Sequence, residues 1–126
     1  MTPSRLTVND LRSPLVGPIS FALGTGECMA LMGASGSGKS TLLRLLADID
    51  PSEGQVALNG QARDRMNPCE WRRRVMLVPA HAGWWSEEVA EHFSPESRPR
   101  FAELAASLRL PVDILDRTVA TLSTGE

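Results

Sequence analysis

Apolar and polar residues alternate over Leu6-Thr7-Val8-Asn9-Asp10-Leu11 and again over Ile19-Ser20-Phe21-Ala22-Leu23. That period of two predicts half-buried strands. Gly24-Thr25-Gly26 ends the second run. Cys28-Met29-Ala30-Leu31-Met32 is continuously apolar and predicts a third strand, with Cys28 as a small buried hydrophobe. The apolar spacing then changes to that of a helix over 40–48, which Pro51 keeps short. Gln55-Val56-Ala57-Leu58 followed by Asn59-Gly60 predicts a strand entering a tight hairpin turn. Pro68 suits the first turn of a short helix over 68–74. Val75-Met76-Leu77-Val78 reads as a buried strand, 79–86 as loop and 87–93 as a short helix. Phe101, Leu104, Ala105 and Leu108 fall at i, i+3, i+4 and i+7 of an amphipathic helix over 98–110. Pro111 stops it, and Ile114 and Leu115 are expected to pack onto it.

Between the third strand and the first helix lies Gly33-Ala34-Ser35-Gly36-Ser37-Gly38-Lys39-Ser40-Thr41. It matches G-x-x-x-x-G-K-[ST] in the strand–loop–helix setting that a phosphate-binding loop needs. The glycines let backbone N–H groups wrap a phosphate chain, and the following helix adds its positive end. Lys39 is expected to reach the β- and γ-phosphates. The Ser40 hydroxyl is expected on Mg²⁺, and Thr41 with the backbone of residues 36–38 on the α- and β-phosphates. The implied ligand is a nucleoside triphosphate with magnesium, ATP in the first instance.

Bulk properties add limits. A length of 126 residues suits one domain with a modest core. Apolar content of 42% and a net charge of -2 are ordinary for a soluble globular chain and give no reason to expect nucleic acid as partner. The longest basic run, Arg72-Arg73-Arg74, reads as a solvated helix edge, with a recognition patch as the alternative. No apolar stretch approaches the roughly 20 residues that cross a bilayer. The start carries charges and prolines rather than a secretory apolar region. Cys28 and Cys69 fit no metal-ligand spacing, and two unpaired thiols beside a nucleotide site suggest the cytosol.

The extended form Gly-Ala-Ser-Gly-Ser-Gly-Lys-Ser-Thr-Leu-Leu resembles the ATP-binding cassette (ABC) ATPases. So do Gly26-Glu27, Ser52-Glu53-Gly54 with Leu58-Asn59-Gly60, and Trp71-Arg72-Arg73 ahead of residues 75–79. Leu122-Ser123-Thr124-Gly125-Glu126 looks like the start of the family's signature motif, and 84 positions separate Lys39 from Ser123. That spacing resembles compact transport cassettes. The resemblance implies an α/β P-loop NTPase fold of ABC type, incomplete here. It would have N-terminal antiparallel strands, a partial RecA-like parallel core and the start of the helical subdomain. Residues 1–80 would form the nucleotide-binding core and 81–126 the helical subdomain up to the signature. It further implies Mg-ATP, a transmembrane permease partner, a paired cassette or homodimer in the complete protein, and a cytoplasmic position at the inner face of the membrane. In that pairing Ser123 and Gly125 would meet the γ-phosphate held by the opposite subunit.

Three departures accompany the resemblance. The family's Walker B strand, catalytic glutamate and switch histidine lie beyond the signature, so the chain reads as a portion ending within it, with no catalytic residue assigned. Glu87, Glu88 and Glu91 read instead as a solvated face, as do His81 and His92. Ala80 stands where the family's Q-loop glutamine is expected; a substitute role for the adjacent His81 is the alternative. Ser13-Pro14-Leu15 occupies the region of the family's adenine-stacking aromatic, and the chain has no tyrosine. Base–aromatic stacking contributes about 1–3 kcal/mol, so its loss weakens ATP binding by about five- to a hundred-fold. Trp84 and Trp85 either form a hot spot facing the membrane subunit or pack one ring inward. The leading expectation is an ATP-binding subunit of a transporter that holds nucleotide without hydrolysing it alone. A degenerate nucleotide-binding module and a non-transport ABC ATPase are the alternatives.

Overall fold

The computed structural model describes residues 4–126. The chain divides into two compact units, one reaching to Val78 and the other Pro79–Glu126.

In the first unit a four-stranded antiparallel sheet runs in the order β2-β1-β3-β4, where β1 is Ser4–Ser13, β2 Val16–Gly24, β3 Glu53–Leu58 and β4 Gln61–Ala62. Leu6 lies opposite Leu23 and Leu58, and Val8 opposite Phe21 and Val56. Strict alternation would carry Val8 inward and Leu11 outward. Both are buried because β1 slips register between them, with Asp10 in the left-handed region at φ 49°. Gly54 faces this bulge: a Cβ there would lie 2.3 Å from the Asp10 carbonyl oxygen, so no larger residue fits.

Two helices cover the buried face of the sheet. Helix α1 is Lys39–Leu46 and α2 is Pro68–Arg74. Val8, Leu11, Val56 and Leu58 from the strands meet Leu42 and Leu45 of α1, Trp71 of α2 and Met66 in one core. Pro68 occupies the first turn of α2, and the Asn67 side chain accepts the Cys69 N–H at 2.9 Å. The C-terminus of α1 closes in a Schellman arrangement: Asp48 takes φ 57°, Asp48 N–H reaches the Leu45 carbonyl, and Ile49 N–H reaches the Arg44 carbonyl.

In the second unit, α3 is Arg98–Ser107, and single 3-10 turns lie at Val89–His92, Ile114–Asp116 and Val119–Thr121. Ile114 is buried and, with Leu115, lines a cavity of about 160 Å³ against Phe101 and Ala105 of α3.

The structure corrects four local expectations. Residues 28–32 and 75–78 join no strand among the described residues. Cys28 is exposed rather than buried, as are Met29, Leu31, Met32, Met76 and Val78. A strand is defined by its hydrogen-bonded neighbours, and the sheet of β1–β4 extends none to these segments. The parallel part of the expected α/β core is therefore not formed as a sheet here. Residues 87–93 hold only a 3-10 turn. Helix α3 ends at Ser107, because Arg109 adopts φ 57° and a second Schellman pair follows, Leu110 N–H to Ala105 and Arg109 N–H to Ala106. Its predicted apolar stripe stays largely in solvent, with Leu104 and Leu108 exposed and Ala105 buried.

Candidate functional site

The loop over 33–41 is shaped by its own backbone. Ser37 N–H donates to the Ala34 carbonyl at 3.1 Å, closing a turn, and Gly36 and Gly38 take φ 79° and 96°. Those left-handed angles exclude most side chains. Gly38 then becomes the N-cap of α1, whose first turn receives no side-chain cap. The N-terminal N–H groups of the helix therefore remain available to an outside acceptor. Lys39 folds back over the loop, its ammonium donating to the Gly33 and Ala34 carbonyls at 2.7 Å each, with Ser37 Oγ at 3.4 Å.

These residues open onto a cavity of about 420 Å³. Ser35, Gly36, Gly38, Lys39, Ser40 and Thr41 line it, joined by Leu15 from the β1–β2 turn. Gly33, Ala34 and Ser37 act one layer back, through their contacts with Lys39. No carboxylate or imidazole lines the cavity among the described residues. The Ser40 hydroxyl is exposed at its floor and suits one oxygen ligand to a hard cation, whose other ligands would be phosphate oxygens and water. Such a cation would neutralise phosphate charge. No cluster of three metal-ligating side chains occurs among the described residues.

The neighbouring strand restricts the loop further. A Cβ on Gly38 would lie 2.6 Å from Val16 Cγ2, at a φ already unfavourable for alanine. Gly38→Ala is expected to lower stability by about 1–3 kcal/mol, read as a lower urea midpoint. A variant with an unchanged midpoint would show that the loop does not sit against β2.

The far end of α1 is held by three side chains that sequence reasoning missed as a group. Arg63 donates to the Leu45 carbonyl at 3.0 Å, the Trp71 indole to Leu46 at 2.9 Å, and Arg72 to Asp48 at 3.0 Å. They satisfy carbonyls that a helix end leaves free and place two positive charges at its negative pole. Arg63 is buried despite its charge. Besides the Leu45 carbonyl, 18 positions earlier, it meets the Asp64 carboxylate at 3.4 Å and that of Asp48 at 3.8 Å, and only the Asp64 contact is local. Arg44 forks onto Asp50 just beyond, and those hydrogen bonds hold the Asp50 carboxyl below its ordinary range.

The remaining expected positions lie in the second unit. Ser123 and Gly125 are exposed, and the Ser123 N–H is taken by the Glu126 carboxylate at 2.8 Å. Hydrogen bonds to Ser123, with the Arg117 charge, lower the Glu126 pKa. Ala80 and His81 are exposed, as are Glu87, Glu88 and Glu91. Trp84 and Trp85 are both exposed to solvent, the second more fully. No described helix is long and apolar enough to cross a membrane.

Comparison with known proteins follows the same line. The family model described as ABC transporter matches residues 16–126. The nickel import ATP-binding protein NikE of Brucella abortus (strain 2308) is 35% identical over 133 aligned positions, covering 91% of this chain and 50% of that protein. NikE of Brucella suis biovar 1 (strain 1330) matches with the same identity and coverage. The chain thus spans about half the length of the curated relatives it matches. Among solved structures, a bacterial Atm1-family ABC exporter with ATP bound superposes with a TM-score of 0.74 over 99% of this chain and 23% of its own, at 21% identity.

Proposed function

This chain belongs to the ABC transporter family, and on that premise we propose that its loop over 33–41 holds the phosphates of Mg-ATP as part of a transporter's ATP-binding subunit. The observation that carries the reading is the cavity at the start of α1. Uncapped helix N–H groups, the Lys39 ammonium and the Ser40 hydroxyl converge on it, and a glycine stands where β2 leaves no room for a side chain. A triphosphate supplies the negative charge and the many acceptors that such a cavity lacks.

The reading stops at binding. Among the described residues the cavity lining contains no general base. The 126-residue chain is expected to bind nucleotide without turning it over. A membrane permease as partner, pairing with a second cassette, and a place at the cytoplasmic face of the membrane follow from this reading. NikE is named for nickel import; the transported substrate and the direction of transport are separate questions for the permease.

Titration calorimetry of the purified chain with Mg-ATP, alongside phosphate release, tests the proposal. Binding without release supports it. A folded chain that ignores millimolar ATP contradicts it. The base side of the cavity gives a sharper form of the test. Leu15 is 79% exposed at its edge and offers no aromatic face. Leu15→Tyr is expected to tighten ATP binding by about five-fold or more through base stacking. An unchanged Kd would mean that the base is bound elsewhere.

A further inference from the structure

His92 lies in the second unit and has no part in the nucleotide reading. Its ring folds back over Trp84 and Trp85, both of which the structure leaves exposed. The Trp85 backbone N–H points at His92 Nε2 from 3.2 Å and the Ser86 N–H from 3.4 Å. Both amides can only donate, so Nε2 is a bare acceptor. His92 Nδ1 lies 3.0 Å from the Glu88 carbonyl oxygen and therefore carries the ring proton. The imidazole also touches both indoles, edge-on to Trp84 at 5.0 Å and tilted against Trp85 at 4.5 Å between ring centres.

The turn carrying His92 is fixed independently. Val89 N–H donates to the Arg117 carbonyl at 3.1 Å and Val119 N–H to the Glu87 carbonyl at 2.8 Å. The Ser86 hydroxyl donates to the Glu91 carboxylate and accepts the Glu88 N–H at 3.3 Å. The ring in one neutral tautomer thus ties the Trp84–Trp85 loop to a fixed turn, beside a second tie through the Ser86 hydroxyl that protonation of the ring does not touch.

We propose that His92 is an acid-released latch on the Trp84–Trp85 loop. A second proton, on Nε2, places an N–H against two N–H donors. Both bonds to the loop are lost, while the Glu88 contact survives. The charged groups around the ring are Glu87, Glu88 and Glu91 on its own turn, Arg98 at the Ala90 carbonyl, and Arg117 on the paired segment. Arg117 is engaged with Asp113 and Glu126, and the Glu91 carboxylate is engaged with the Ser86 hydroxyl. Protonation therefore changes how the two indoles are presented to a partner. The latch rests on this geometry alone and stands whether or not the loop over 33–41 binds nucleotide.

Acrylamide quenching of tryptophan fluorescence tests it, as pH falls from about 8 to about 5, the range over which imidazoles charge. Trp71 is fully buried, so quenching reports Trp84 and Trp85, which start at 43% and 71% exposed. The quenching constant of the wild-type chain is expected to rise by less than about two-fold, the limit that full exposure of two indoles allows. His92→Gln keeps an acceptor at every pH and should stay flat. His92→Ala should be high throughout, and His81→Ala should behave as wild type. A rise in His92→Gln equal to that of wild type overturns the latch. So does nitrogen NMR at the upper pH showing the His92 proton on Nε2, a measurement independent of any variant's folding.

Discussion

Lys39→Ala is expected to weaken Mg-ATP binding by about 10- to 150-fold, the worth of one hydrogen bond to a charged group. The ammonium has three donors. Two are used at 2.7 Å on the Gly33 and Ala34 carbonyls, and the third has only a 3.4 Å contact with Ser37 Oγ. That third donor is the one a phosphate oxygen would take on the proposed reading. Meanwhile the two carbonyl bonds hold the side chain over the loop, so little ordering remains to be done on binding. Alanine removes the phosphate contact and the strap together. Calorimetric Kd values for both chains check this, with urea melts to show that both are folded. Equal affinities would mean that the nucleotide is not held by this loop.

Trp71→Ala is expected to cost about 3–5 kcal/mol from the cavity it leaves. The Leu46 carbonyl, deprived of its indole donor, adds about 1–3 kcal/mol. Against a total stability of roughly 5–15 kcal/mol, that is a large share, and the urea midpoint of the first unit should fall sharply. Trp71→Phe largely separates the two effects: it keeps most of the buried aromatic volume and loses the N–H, at a cost from the orphaned carbonyl of about 1–3 kcal/mol. Urea unfolding followed by circular dichroism reads all three chains. A loss below 1 kcal/mol in the alanine variant would remove Trp71 from the core.

What could be read from the sequence follows the range of each signal. The turn over 33–38 and the helix that follows it were legible because their signals are consecutive, with turn glycines, lysine and hydroxyl within nine positions. Helix α2 was legible because Pro68 and the run to Arg74 mark its ends locally. The hairpin was legible because Asn59 and Gly60 take the positive φ values that a tight turn demands. Elements that depend on distant partners were not. Residues 28–32 and 75–78 have the composition of buried strands, but composition does not supply a neighbour. Helix α3 has the right period, yet Leu104 and Leu108 meet nothing that covers them. Arg63, the bulge at Asp10 and the approach of Leu15 to the loop are tertiary facts. Each joins positions with no shared local pattern.

The unpaired run before the loop gives the site a mechanical asymmetry. Downstream of Gly38 the chain is a helix of eight residues, buried on one side and tied at its far end by Arg63, Trp71 and Arg72. Upstream, residues 28–32 have neither a ladder nor a buried face. A pull on the loop by bound phosphates is therefore resisted almost entirely from one side. The helix acts as the anchor post and the preceding run as slack line. Residues 28–32 are expected near the low end of the local stability scale and α1 near the top, with the Lys39 bonds to Gly33 and Ala34 as the joint between them. Order imposed on residues 28–32 would therefore be passed to the loop through that joint.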